Sequence, residues 1–150
     1  MRALVQRVSS ASVRIGGEVH GKIGPGMLIL LGIAETDTAA DITWLVPKLV
    51  KLRIFADADG SLNLSLMDTG GEVLLISQFT LLASSKKGNR PSFLRAARPE
   101  QAILLYEAFR DALAHELQRP VPTGRFGADM QVNLTNDGPV TIWIDSATRE

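Results

Sequence analysis

The chain has 150 residues, with 16 Lys and Arg against 16 Asp and Glu, two His and no Cys. This length favours a single domain, residues 1–150, with a core large enough to fold without covalent staples. The lack of cysteine excludes disulfides, Cys-ligated zinc and a cysteine nucleophile. A net charge of zero excludes a protein that coats nucleic acid by bulk charge, so any contact with RNA or DNA must be local.

The beginning of the chain does not resemble a secretory signal, because Arg2 and Arg7 are not accompanied by a long apolar run. The longest apolar run, residues 27–33, is far shorter than the roughly 20 residues that span a bilayer. We therefore expect a cytoplasmic protein with no membrane partner.

The first third of the chain predicts strands. Alternation over residues 3–15, the Gly16-Gly17 turn and a return strand at 18–23 indicate a hairpin. Residues 27–33 are uniformly apolar, which is typical of a central strand buried on both faces.

A helix follows. Thr38 and Asp41 have the spacing of a capping box. Apolar residues then recur at helical spacing, namely Ile42, Leu45, Val46, Leu49 and Val50. Pro47 conflicts with this pattern, since an interior proline costs roughly 3 kcal/mol. We therefore expect a kink or a later start.

Residues 57–60 predict a turn between strands at 52–55 and 62–66. The spaced carboxylates Asp57 and Asp59 suggest calcium, but no acid stands where a twelve-residue calcium loop would close. We expect no metal site.

The second half predicts a strand at 72–82, a polar loop at 84–92 and a helix that begins at Pro99. Two closing strands are expected at its end, carrying Met130, Val132 and Leu134, and Val140, Ile142 and Ile144, around a turn at 136–139. These elements indicate one α+β domain, mostly strands, with two helices packed on one side.

Common catalytic motifs are missing from the sequence. It has no P-loop, dinucleotide fingerprint, nucleophile elbow or His-Glu-x-x-His helix, and we expect no cofactor. His20 and His115 are isolated and make a poor catalytic set. An enzyme with this sequence must use unusual groups.

The charge distribution is uneven. Five cations fall between Glu72 and Glu100, a stretch without an acid: Lys86, Lys87, Arg90, Arg95 and Arg98. A short basic loop after a strand suits contact with one or two phosphates, and a solvated surface loop has the same composition.

Polar residues end the predicted strand just before this loop. In a strand, Ser77 and Phe79 would share one face while Gln78 and Thr80 share the other. Such a cluster either lines a pocket for a small ligand or bonds to neighbouring backbone.

Residues 136–141 are typical of an ordinary turn. A cis Gly138-Pro139 bond would instead turn carbonyl groups to one side with no side chain in the way, giving a wall that rejects ligands by shape. The sequence leaves both interpretations open.

Together these segments resemble the bacterial D-aminoacyl-tRNA deacylase family. The matching segments are residues 1–8, 24–26, 63–66, 77–81, 87–93, 123–130 and 136–141. They span nearly the whole chain, and their joint presence in this order is highly specific.

The resemblance implies a homodimer of small β-barrel-like subunits with antiparallel or mixed sheets and two active sites at the interface. It assigns catalysis to Ser77, Gln78 and Thr80; substrate binding to Phe79, Ala128, Met130 and Asn136; chiral selection to Gly138 and Pro139 of the other subunit; bracing of that loop to Arg7; and tRNA backbone contacts to Lys86, Lys87 and Arg90. The residues 126–130 would help to hold the terminal adenosine.

The implied reaction is hydrolysis of the ester between a D-amino acid and the 3′ end of tRNA. Glycine would also be released from mischarged tRNA, because it has no side chain to exclude, and DNA is not an expected partner. In this family the 2′-hydroxyl of the tRNA assists the attack and the protein supplies positioning. The competing mechanism makes Thr80 a nucleophile, although no base is evident nearby.

Two other classes of protein remain open. A non-catalytic module that binds the tRNA end would use the basic stretch but has no need for the polar pocket. A small-molecule binder would keep the pocket and not the basic loop.

Overall fold

The computed structural model describes residues 1–149. Their strands are β1 Arg2–Ile15, β2 Glu18–Ile23, β3 Gly26–Gly32, β4 Phe55–Ala56, β5 Leu62–Leu64, β6 Glu72–Ser77 and β7 Gln131–Asp145. The helices are α1 Ala39–Val50, α2 Leu66–Thr69 and α3 Pro99–Leu117, with a 3₁₀ turn at Phe79–Leu82. The predicted α+β class is confirmed, and the one-turn helix α2 was not predicted. No helix in the described part of the chain is long and apolar enough to cross a membrane.

Strand β1 is the centre of the main sheet. Its first half pairs with β3 and its second half with β2, while β7 pairs antiparallel along its other edge. Strand β6 adds to β3 in parallel, so the sheet is mixed, as expected. The sheet curls into a half-barrel. The exchange of partners along β1 brings residues from both ends of the chain to one strand.

The core lies on both faces of this sheet. Helices α1 and α3 pack together over one face, where Leu45, Phe109 and Val5 are fully buried. A smaller cluster around Val13 and Leu28 fills the other face. Strands β3 and β6 are therefore buried on both sides, which explains why residues 27–33 show no alternation.

The start of α1 is held by the predicted capping box. The Thr38 hydroxyl accepts from the Ala40 amide at 3.3 Å, and the Asp41 carboxylate accepts from the Thr38 amide at 2.8 Å. The helix runs through Pro47 to Val50, so the expected later start is wrong. Proline removes the donor that would reach the Thr43 carbonyl, and Thr43 is exposed, so water can replace that donor.

The predicted turn at 57–60 is confirmed as the turn of the β4–β5 hairpin. The Asp57 carboxylate accepts from the amides of Asp59 and Ser61, each at 3.0 Å. The Asp57 carboxylate therefore stabilises the turn by accepting bonds from its backbone amides.

The predicted strand at 72–82 is too long. Strand β6 ends at Ser77, and the chain continues as the 3₁₀ turn, so the alternation of residues 77–80 across two strand faces is wrong. The turn packs against Gly32 at the end of β3, where a Cβ would lie 2.9 Å from the Gln78 carbonyl oxygen and 2.6 Å from a Leu82 methyl carbon.

The two predicted closing strands are one strand in the structure. Strand β7 pairs with β1 from Gln131 to Asp145, and the pairing shifts register around Val8, opposite Asn136. Residues 136–140 are therefore an irregularity within a long strand, because β1 continues past them and pairs on both sides.

We predict that Gly32→Ala lowers the free energy of unfolding by about 1–3 kcal/mol, since the added Cβ pushes against the backbone of the 3₁₀ turn. Urea denaturation measures this. Gly24→Ala is the matched control, because its Cβ would meet only a Glu72 carboxylate oxygen at 3.4 Å. It should change stability by less than about 0.5 kcal/mol. Equal effects of the two variants would contradict the predicted contact.

Candidate active site

A cavity of about 630 Å³ lies at the end of strands β3 and β6. Its floor is apolar and is formed by Leu31, Ile33 and Ile76 together with Ala97 and Ala102. Pro99 at the start of α3 and Phe126 also line it. This size and mostly apolar lining are typical of a site for a small organic group.

One wall of the cavity is the polar end of β6. Ser77 and Gln78 line it, and the Gln78 amide nitrogen of the backbone donates to the Leu31 carbonyl oxygen at 2.8 Å. Phe79 lines the same wall and is 56% exposed, with its ring edge-on to Phe93 at 5.0 Å between centroids. Thr80 does not line the cavity, but its hydroxyl accepts from the Gln78 side chain.

The opposite wall is the segment 127–130, which contributes Ala128 and Met130. The chain that leads into this segment is anchored beside β6, because the Leu75 amide donates to the Pro122 carbonyl oxygen at 3.0 Å. The Met130 sulfur packs closely against Gly124. A Cβ added at Gly124 would lie only 2.3 Å from that sulfur.

The cavity contains few charged groups. Asp129 is the only charged residue among the described lining residues, and none of them is a His, Lys or Arg. Behind the wall, the Tyr106 hydroxyl donates to the Leu75 carbonyl oxygen at 2.9 Å. Burial raises the pKa of Tyr106, so this phenol stays neutral and acts as a fixed donor. The site is therefore suited to orienting a ligand and a water molecule, with no built-in acid–base pair.

The segment around Gly138 stands apart from this cavity. The Gly138-Pro139 bond is cis, and both residues are exposed. The Arg7 Nε donates to the Asp137 carbonyl oxygen at 2.8 Å, and Nη1 donates to the Ile54 carbonyl oxygen at 2.6 Å.

The Asn136 side chain bridges the two ends of the same segment by hydrogen bonds. Its side-chain oxygen accepts from the Val140 amide at 2.7 Å, and its side-chain nitrogen donates to the Thr141 hydroxyl at 3.0 Å. The same nitrogen also donates to the Val140 carbonyl oxygen at 3.2 Å. Asn136 thus shapes the segment, and it does not line the cavity of its own chain.

The predicted site residues fall into three groups. Ser77, Gln78, Phe79, Ala128 and Met130 come together around the cavity. The second group is the separate segment, with Arg7, Asn136, Gly138 and Pro139. The third is the exposed loop of Lys86, Lys87 and Arg90, whose ends are joined by paired backbone bonds between Ser84 and Ser92.

Some lining residues were not identified from the sequence. The first turn of α3 and the preceding Ala96 and Ala97 lie in the cavity although they are far from Ser77 in the chain. Phe93 belongs to the family segment 87–93, and the residue spacing does not predict its contact with Phe79.

The chain is similar to several known proteins along nearly its whole length. A D-aminoacyl-tRNA deacylase of Akkermansia muciniphila is 60% identical over 150 residues, which is the whole of both chains. One from Dechloromonas aromatica is 55% identical over the same length. Among solved structures, a c-Myc DNA unwinding element binding protein has a TM-score of 0.92 at 44% identity and covers 97% of this chain and 98% of its own. A probable eukaryotic D-amino acid tRNA deacylase has a TM-score of 0.83 at 16% identity, covers 95% of this chain and 97% of its own, and shows the shared fold.

These relatives place the chain among the hydrolases. The family model described as D-Tyr-tRNA(Tyr) deacylase matches residues 4–145, and the chain belongs to that family.

We predict that Asn136→Ala speeds hydrogen exchange of the Val140 amide about tenfold, because that amide loses its acceptor, worth about 1–1.5 kcal/mol. Hydrogen-exchange NMR measures this. Asn133→Ala, at an exposed position of the same strand, is the control and should leave Val140 unchanged. Unchanged exchange in Asn136→Ala would show that Asn136 does not close the segment.

Proposed function

We propose that the protein hydrolyses the ester that joins a D-amino acid to the 3′ end of tRNA. The observation that carries this proposal is the cavity between Ser77-Gln78 and segment 127–130, whose volume suits an aminoacylated nucleoside. Membership of the D-Tyr-tRNA(Tyr) deacylase family supports the assignment. The names of the full-length relatives support it as well.

The protein acts as a homodimer in this proposal. Gly138 and Pro139 are exposed and lie outside the cavity of their own chain, so a second subunit is needed to bring them to a substrate. Phe79 at the cavity wall and Leu94 nearby in the chain are 56% and 88% exposed, and a partner that covers them would bury apolar surface.

Chiral selection follows from this arrangement. Backbone groups of Gly138 and Pro139 close the side of the cavity that an L side chain would need, whereas a D side chain points away. Glycine passes this test because it has no side chain, so glycyl-tRNA is a second substrate. Selection is thus by exclusion of the wrong substrate.

The basic loop binds the RNA. Lys86, Lys87 and Arg90 are exposed, and the loop is fixed at its base beside the wall that carries Phe79. Such side chains contact phosphates and hold the tRNA end in register without reading its sequence.

The reaction depends on positioning. A water oxygen bonds to the ester carbonyl carbon, the ester bond breaks, and the 3′-oxygen of the tRNA leaves with a proton. Ser77 and Gln78 orient the ester and the water, and the neighbouring 2′-hydroxyl assists the attack. A Thr80 nucleophile is disfavoured, because its hydroxyl lies off the cavity and no described lining residue is a His or Lys that could activate it.

We predict that Thr80→Ala keeps kcat within about threefold of the parent enzyme, while a tRNA ending in 2′-deoxyadenosine reacts about 100-fold more slowly. Single-turnover release of labelled D-tyrosine measures both. Thr80→Ser is the conservative control. An inactive Thr80→Ala with a reactive deoxy substrate would establish the threonine mechanism instead.

We predict that the parent enzyme releases D-tyrosine and not L-tyrosine, and that Gly138→Ala lowers the D/L ratio about tenfold, or ~1.4 kcal/mol. A Cβ there would lie 2.8 Å from a Val140 methyl carbon and 3.1 Å from Arg7 Nη2, which displaces the segment. Deacylation of D- and L-tyrosyl-tRNA side by side measures the ratio.

Gly60→Ala in the β4–β5 turn is the matched control, since no atom lies within 4 Å of its Cβ position. Both glycines have positive φ, so both variants carry backbone strain. Release of L-tyrosine by the parent enzyme at a similar rate would refute chiral editing, and an unchanged ratio in Gly138→Ala would refute the role of this segment.

A further inference from the structure

A second, shallower depression of about 450 Å³ lies at the end of α1, separate from the cavity. It is lined by Trp44, Pro47, Lys48, Lys51, Leu52 and Arg53. We call Lys48, Lys51, Arg53 and the nearby Arg149 the α1 cation cluster. Nothing in the reaction described above uses these residues.

The ring of Trp44 gathers part of this cluster. The Lys48 ammonium lies 5.7 Å from the ring centroid, and the Arg149 guanidinium lies 5.9 Å from it. Cations are attracted to an indole ring, so the two charges are held beside each other despite their repulsion. A half-buried tryptophan therefore organises positive charge at the surface.

Arg53 is held in place by hydrogen bonds, whereas the two lysines of the cluster have no ion-pair partner among the described residues. Arg53 donates from Nε to the Asn63 carbonyl oxygen at 2.8 Å and from Nη2 to the Asn63 side chain. Lys48 and Lys51 are exposed, and neither is within 4.0 Å of a carboxylate among residues 1–149.

Three acids near the cluster accept hydrogen bonds from groups outside it. Asp57 accepts from the amides of Asp59 and Ser61. Asp41, on the same helix, accepts from the Thr38 amide and from the Ser146 hydroxyl at 2.6 Å. The pKa of Asp68 is lowered mainly by hydrogen bonds from Ser65, with a smaller effect of Arg53. Among residues 1–149, none of the four cations of the cluster forms an ion pair, so the cluster presents positive charge to its surroundings.

The cluster is linked to the chiral segment. Arg53 immediately precedes Ile54, whose carbonyl oxygen accepts from Arg7, and Arg7 also holds the Asp137 carbonyl oxygen. If the segment at 137–139 enters the cavity of the partner subunit, as proposed above, this link brings the cluster of the same chain to the side of the dimer where that RNA binds.

We propose that the α1 cation cluster binds backbone phosphates of the tRNA that lies in the partner's cavity, several nucleotides from the reacting 3′ end. This inference rests on the proposed function. A polynucleotide is the occupant that fits, because the surface presents several cations that form no ion pair with a described carboxylate, and phosphates of an RNA backbone are spaced charges of the opposite sign. Together with the Lys86 loop, it would give each tRNA contacts from both subunits.

The test compares Lys48→Ala/Lys51→Ala with Arg14→Ala/Lys22→Ala, which removes two exposed cations from the β1–β2 hairpin. Binding of uncharged tRNA is measured over a range of NaCl concentrations. We expect the slope of log K against log salt to fall by about two in the first variant and to stay unchanged in the control.

Hydrolysis is measured in parallel on full-length D-tyrosyl-tRNA and on the D-tyrosyl ester of a CCA trinucleotide. We expect kcat/KM of the Lys48/Lys51 variant to fall about tenfold on the tRNA and to stay within about twofold on the trinucleotide. The short ester cannot reach the cluster, so a loss on both substrates would overturn the proposal.

Other outcomes separate the two claims. If the parent enzyme hydrolyses neither substrate, the proposed function fails, and the salt slopes alone decide the RNA contact. Equal slopes in the parent and both variants overturn the cluster proposal. A Lys48/Lys51 variant that elutes as a smaller species shows a subunit contact and also overturns it.

Discussion

The guanidinium of Arg7 makes the interaction on which the geometry of the segment at 136–140 depends. It lies on the central strand β1, is 11% exposed in its side chain, and bonds to the carbonyl oxygens of Ile54 and Asp137. One side chain therefore connects the sheet, the segment before β4 and the irregular part of β7. Because charge-assisted bonds to two carbonyls need the planar fork of arginine, lysine would not hold both in place. The proposed chiral segment is rigid for this reason, with Asn136 closing it from the other side.

Local signals in the sequence were enough for most of the fold. The alternation of β1, the capping box of α1 and the proline at the start of α3 each act within a few residues, so each could be predicted from neighbours in the chain. The errors occurred where distant contacts decide the structure. Strand β6 stops at Ser77 because the chain packs on Gly32, and β7 continues through residues 136–140 because β1 extends past them.

The site shows the same division. The sequence predicts polar residues at the end of a strand, and the structure places two of them, Ser77 and Gln78, on one wall of a cavity beside Phe79. The opposite wall and the start of α3 come from parts of the chain more than fifteen residues away. The periodicity of a sequence does not predict contacts between such distant parts of the chain. Only the family resemblance could therefore connect segment 126–130 to the pocket. Asn136 is predicted to bind substrate, and in the structure its hydrogen bonds fix the backbone of its own strand, so that role stays a prediction.

Gly32 has a consequence for how this protein can change over time. The polar wall rests on β3 through contact of backbone with backbone, since the Gln78 carbonyl oxygen approaches the Gly32 α-carbon too closely for any side chain. The position of the wall therefore depends in part on main-chain atoms, which every sequence shares, and on the Leu82 side chain that packs at the same place. The cavity is therefore sensitive to one of the two hydrogens on this α-carbon, the one that a Cβ would replace in any other residue.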